Sequence, residues 1–269
     1  MSSAVLMLHS TGTMPSMWRP YADTVAPLGE VLTPAHRGYP PHAPVARGVT
    51  ISARDDAEAV VAQIPPRITD VHVVAHSYGG VVALALLPLL QIRVRSLLLF
   101  EPVLFATLRA APDGDVAARA ELDAMLADPQ FIHDEQAGGS DAWIERFLEF
   151  WNRPGAWQRL PPEQQRAMRA IGWKMFQEVR NVSLDDVFDA AQAQRLVSER
   201  VPITLAYGMR SPHVARAVVE LLARCLPHSQ VVALADSGHM APLAQSALVD
   251  DALRAHVQRV LGGDTESRP

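Results

Sequence analysis

Val71-His72-Val73-Val74-Ala75-His76-Ser77-Tyr78-Gly79-Gly80 is the stretch that decides the fold. Its first half is a short apolar run with β-branched residues, a strand expected over residues 71–75. Its second half opens a helix expected over residues 78–87. A serine on a sharp strand-to-helix turn projects its hydroxyl above the sheet, and the turn crowds the residues two before and two after it. Here those are Ala75 and Gly79, both small, so Ser77 is the candidate nucleophile. The helix starting at Tyr78 also turns its amides and the positive end of its dipole toward the serine, which suits an oxyanion. Alone, a small-x-Ser-x-small match is only a backbone corner; the strand before it and the helix after it give it weight.

Working outward, apolar runs rich in Val, Ile and Leu alternate with helical stretches, the pattern of a mostly parallel sheet flanked by helices. Further strands are expected over 4–8, 31–34, 96–100, 203–207 and 230–234, and helices over 15–26, 52–63, 214–226 and 245–261. Burial on both sheet faces accounts for strands that lack polar alternation. Residues 102–200 interrupt this order. They read as helical, with breaks at Pro112, Pro129, Gly138-Gly139, Pro154-Gly155 and Pro161-Pro162. An unstructured loop that long is foreign to a compact domain, so a helical cap inserted into a core of residues 1–101 and 201–261 is expected. Residues 262–269 read as a flexible tail.

The chain resembles the α/β-hydrolase superfamily over nearly its whole length. Three motifs carry the resemblance, in the family's order: Leu8-His9-Ser10-Thr11-Gly12 after the first strand, Ala75-His76-Ser77-Tyr78-Gly79 at the turn, and Ser237-Gly238-His239-Met240 near the end. The resemblance implies that fold, the cap position and the chain order Ser, acid, His. It also implies an oxyanion hole made by the amides of Thr11 and Tyr78, with Ser10 where the family usually has glycine. His9 reads as a prop for that loop.

His239 follows the last apolar strand, in a loop above the sheet's C-terminal edge, where Ser77 also points. Imidazole takes a proton from serine near neutral pH and returns it to a leaving group. The remaining histidines read as loop, packing or surface residues, and His76 is expected to face away from the site. The acid is where the chain departs from its relatives. Most of them place an aspartate after the strand that follows the cap; here that stretch is Tyr207-Gly208-Met209-Arg210-Ser211, with Ser211 at the aspartate's place. Glu101, ending the apolar run Leu97-Leu98-Leu99-Phe100, is the alternative, since a carboxylate closing a buried strand is unusual unless it is paired or functional. An ion pair with Arg109 is the structural account of Glu101, and Asp236 is the fallback acid.

Four of the five tryptophans lie in the insertion. Most of its aromatics pack the cap on itself; Trp143, Phe147, Trp151, Ser10 and Met240 are expected near an apolar substrate pocket. The formal charge of −5, without a long basic run, argues against nucleic acid. No stretch is apolar for long enough to span a membrane, and a cytoplasmic location is the default. Cys225 is the only cysteine, and neither phosphate-binding glycine motifs nor paired metal-ligand spacings appear, so neither cofactor nor metal is expected. The leading function is hydrolysis of an apolar carboxylic ester or thioester through an acyl-Ser77 intermediate. Serine rather than aspartate at the turn disfavours dehalogenase or epoxide hydrolase chemistry. C–C cleavage, lyase or acyl-transfer chemistry with the same residues, or a non-catalytic ligand-binding protein, are the alternatives.

Overall fold

Six segments pair side by side, all parallel: β1 (Ser2–Leu8), β2 (Glu30–Leu32), β3 (Ile68–His76), β4 (Arg93–Phe100), β5 (Ile203–Gly208) and β6 (Ser229–Leu234), in the order β2-β1-β3-β4-β5-β6. The computed structural model describes residues 2–111, 115–152, 154–184, 188–244 and 247–266. Both faces of the sheet are covered. Ala4, Leu6, Leu8, Val73, Ala75, Leu97 and Leu99 face one apolar layer, while Val5, Met7, Val74, Leu98 and Phe100 face the other. This two-sided burial is why the strands read as continuous apolar runs.

Outside the insertion, the helices are α1 (Ala22–Val25), α2 (Ala53–Val61), α3 (Tyr78–Leu86), α11 (His213–Cys225) and α12 (Ala247–Glu266). Ser52 caps α2, its side chain accepting from the Asp55 amide while the Asp55 carboxylate accepts from the Ser52 amide. The segment expected to be helical over 15–26 is a 3-10 helix over Pro15–Tyr21 followed by the single turn α1. Pro20 lies inside that 3-10 stretch and offers no N–H to an i→i−4 ladder. The expected strand over 31–34 pairs only through Glu30–Leu32, at the sheet edge. Much of the expected tail is helical: α12 continues to Glu266, and residues 267–269 lie outside the described set.

Between β4 and β5 run α4 (Phe105–Ala110), α5 (Val116–Ala127), α6 (Pro129–Ile132), α7 (Asp141–Trp151), α8 (Ala156–Arg159), α9 (Pro162–Leu184) and α10 (Ala190–Ser198). Pro129 and Pro162 open helices, where a missing N–H costs nothing. Pro112 lies outside the described residues. On α7, Trp143, Ile144, Phe147 and Leu148 are buried at helical spacing.

The chain moves from β1 out to β2 and then returns to β3 on the other side of β1. The C-terminal ends of β1 and β3 therefore flank the point where the winding reverses, the place where open α/β sheets bind ligands.

Candidate active site

Strand register brings the first two site residues together. His76 of β3 pairs with Phe100 of β4, so Ser77 and Glu101 are the next residues beyond a matched pair on neighbouring strands. The Ser77 amide donates to the Phe100 carbonyl at 2.9 Å, and the Glu101 amide donates to the Ala206 carbonyl of β5, also at 2.9 Å. Both residues then leave the sheet with positive φ, 55° at Ser77 and 42° at Glu101. Non-glycine residues rarely adopt this conformation, and it recurs where a side chain must be aimed. The turn at Ser77 leaves no room behind it. A Cβ on Gly79 would sit 2.5 Å from the Leu8 carbonyl oxygen, because the end of β1 passes directly against the start of α3.

β6 carries the chain to the loop holding His239, and a line of three side chains results. His239 Nε2 lies 3.0 Å from Ser77 Oγ, and His239 Nδ1 lies 2.6 Å from Glu101 Oε2. All three residues are buried. The second carboxylate oxygen, Oε1, accepts from the Gly208 amide at 2.5 Å and from the Ser211 hydroxyl at 2.6 Å. Glu101 is therefore directed at the imidazole, with no ion pair to Arg109 among the described residues. Asp236 pairs instead with Arg210 at the surface, and its side chain is 83% exposed.

His76 departs from expectation. It does not turn away; its Nε2 bonds the His239 carbonyl oxygen at 2.8 Å, and the two rings lie 4.8 Å apart. Facing a carbonyl, Nε2 must carry the proton. Burial, and next the neighbouring His239, hold the His76 pKa well below the ordinary histidine value, so the ring is neutral and props the loop that carries His239. His9 is likewise held neutral by burial and then by His36; it stacks on His36 with ring centres 4.0 Å apart.

Thr11 and Ser77 line the same two small cavities. Among the described residues, the amides of Thr11 and Tyr78 donate to no protein acceptor. Gly12 turns the loop with φ of 72° and donates its own amide to the Tyr39 hydroxyl at 2.9 Å. The first cavity, about 20 Å³, is walled mainly by apolar residues including Val103, Phe105, Phe147, Val179 and Val182. The second, about 50 Å³, is lined by Ser10, Phe147, His239 and Met240 among others. Trp143 lines neither: its indole stacks on Phe147 and donates to the Phe131 carbonyl inside the insertion. Eight residues further along α7, Trp151 lines both cavities and also an open crevice of about 1350 Å³ beside the His239 loop. Its ring stacks on His239, 3.6 Å between centres and 20° from parallel. This contact depends on how α7 sits over the sheet, and the sequence carries no signal of it.

Among the described residues, no group of three or more His, Cys, Asp or Glu side chains could hold a metal ion. No described helix is long and apolar enough to cross a membrane.

A parallel sheet with a serine on the strand-to-helix turn beside its switch point defines the α/β-hydrolase class. The chain belongs to the alpha/beta hydrolase family, whose model matches residues 5–252. Solved structures with the same fold include a thermophilic esterase from Thermogutta terrifontis, 19% identical, with a TM-score of 0.63 over 96% of this chain and 90% of that one. MenH from S. aureus is 17% identical, with a TM-score of 0.65 over 96% and 94% of the two chains. A haloalkane dehalogenase loop variant from Bradyrhizobium elkanii is 21% identical, with a TM-score of 0.67 over 100% and 92%. No curated protein matches the sequence.

Proposed function

We propose that the protein hydrolyses a carboxylic ester or thioester with an apolar acyl group, through an acyl-enzyme on Ser77. The observation that carries this reading is the continuous line from Ser77 Oγ to His239 Nε2 at 3.0 Å and from His239 Nδ1 to Glu101 at 2.6 Å. Nε2 faces the hydroxyl and accepts its proton as Oγ attacks the carbonyl carbon. Glu101 accepts from Nδ1–H, which fixes the tautomer and stabilises the imidazolium that forms. The carbonyl oxygen gains negative charge and is held by the amides of Thr11 and Tyr78. His239 then protonates the leaving group, and the C–O or C–S bond breaks. Water enters, gives a proton to His239, attacks the acyl carbon, and Ser77 leaves with that proton returned.

The apolar wall of Val103, Phe105, Phe147, Val179 and Val182 lies on the acyl side, where the cavity of about 20 Å³ widens to admit the chain, and the crevice beyond Trp151 receives the leaving group. In this role the insertion over residues 102–200 is a cap that excludes water from the acyl side. A nucleophilic serine, in place of a carboxylate, disfavours dehalogenase or epoxide hydrolase chemistry for this chain. The structures of similar fold include an esterase, which accords with the reading.

The test is labelling with a fluorophosphonate, which requires an activated serine. Intact and peptide mass spectra should show one adduct, on Ser77, absent in Ser77→Ala and strongly slowed in His239→Ala. An unlabelled but folded wild-type protein would rule the reading out.

A further inference from the structure

Beneath the loop after β1 lies a charged cluster that the steps above do not use. Lys174 and Glu178, one turn apart on α9, and Asp56 on α2 are all fully or almost fully buried. The Lys174 ammonium lies 2.6 Å from Asp56 Oδ2 and 2.7 Å from Glu178 Oε1. Burial works against that charge, yet Glu178 and Asp56 hold the Lys174 pKa above its ordinary value. Taking charges out of water costs several kcal/mol per ion, roughly, unless their remaining hydrogen bonds are met. An apolar contact would join α9 to the core at less cost, so the placement of the cluster's remaining bonds is informative.

Apart from the Arg37 amide, which donates to Asp56 Oδ1 at 2.9 Å, they lead to the oxyanion loop and the nucleophile turn. The Tyr78 hydroxyl donates to Asp56 Oδ2 at 2.6 Å. The Tyr39 hydroxyl donates to Glu178 Oε2 at 2.9 Å while accepting the Gly12 amide at 2.9 Å. The Thr11 hydroxyl also favours the charged form of the same Glu178 carboxylate. Tyr78 and the loop that carries Thr11, the two candidate oxyanion donors, are thus tied, through Asp56 and through Glu178 with Tyr39, to the two carboxylates that Lys174 bridges.

Resting on the proposed function, we infer that Lys174, Glu178, Asp56 and Tyr39 are positioning residues for the oxyanion hole, which is set only when α9 of the insertion is seated. Asp56 fixes the side chain of Tyr78 and with it the first turn of α3. Glu178, through Tyr39, fixes Gly12 and with it the loop that carries Thr11. Lys174 sets the spacing between the two carboxylates. None of the four touches the reacting atoms. Their effect belongs to the step in which negative charge develops, and binding of an uncharged substrate should be indifferent to it.

Saturation kinetics of fluorophosphonate labelling separate these two effects. Tyr39→Phe keeps the ring and loses only the hydroxyl, so it tests the link without emptying the core. Its maximal labelling rate should fall by about tenfold, less than the loss from deleting an oxyanion donor outright, with half-saturation within about twofold of wild type. Glu178→Gln keeps an acceptor for Tyr39 and should lose less than Glu178→Ala. A maximal rate within twofold of wild type in folded Tyr39→Phe and Glu178→Gln would overturn the inference while leaving the nucleophile assignment intact. Equal losses in maximal rate and half-saturation would overturn it as well, by pointing to general loosening. No labelling of wild type would remove both, and is distinguished by that control.

Discussion

The Ser211 hydroxyl lies 2.6 Å from Glu101 Oε1, so the residue standing where most relatives place their aspartate donates a hydrogen bond to a carboxylate that arrives from β4. The two positions meet beyond the ends of neighbouring strands, with Glu101 between Ser211 and the imidazole.

Glu101→Gln should lower turnover of an activated ester by roughly four orders of magnitude, as tautomer control and imidazolium stabilisation are lost together. The double variant Glu101→Gln/Ser211→Asp should recover at least about tenfold of that loss, since it returns a carboxylate to the same place. Ester kinetics on the three proteins decide it; near-normal turnover in Glu101→Gln would remove Glu101 from the mechanism.

Trp151→Ala should join the two small cavities at Ser77 to the outer crevice. Bulky fluorophosphonates should then label Ser77 faster relative to small ones than they do in wild type. An unchanged ratio across a size series would show that the indole does not control access.

Acid should unfold the protein earlier than an ordinary chain of this charge. Burial is the main cause holding His9, His36 and His76 well below the usual histidine value, and it takes His256 from 6.5 to about 3. When unfolded, each regains a value near 6.5, so below that pH the unfolded chain binds protons that the folded chain refuses. Stability is therefore complete above about pH 7 and declines as pH falls from 6.5 toward 3, by up to about tenfold in the folding constant per pH unit for each ring. Glu178, whose carboxyl burial raises, contributes in the opposite direction as pH rises, one group against four. Urea midpoints between pH 8 and 5 test the trend, and a flat profile would contradict it.

Gly79→Ala should cost more than about 2 kcal/mol, because its methyl meets the backbone of β1 and a backbone carbonyl cannot yield as a flexible side chain does. Chemical denaturation of the variant gives the number; a loss under about 0.5 kcal/mol would show that the turn relaxes.

The sequence is most legible where a local steric rule leaves few choices. A serine flanked at two residues by Ala75 and Gly79, after one apolar run and before another, has few structures open to it. Glu101 is visible for a related reason, as a lone carboxylate closing a buried strand. Lys174 and Glu178 are not, because an acid and a base four apart on a helix usually form a solvated pair; only the approach of α2, from over a hundred residues away in sequence, buries them beside Asp56. The support that His76 gives the His239 loop is hidden likewise, since strand alternation fixes which face of the sheet a side chain leaves but not what folds over it.

Trp151, lying flat against His239, covers one face of the imidazole as a bound ring would. A molecule that is to stack on that face of His239 competes with the protein's own indole. Its apparent affinity is then its intrinsic affinity scaled by the fraction of molecules in which that ring has moved aside. Selectivity in such a site is partly a property of the resting protein: compounds are ranked by how much better than an indole they fill the space over the imidazole, and a weak ligand is refused without any group having been placed to repel it.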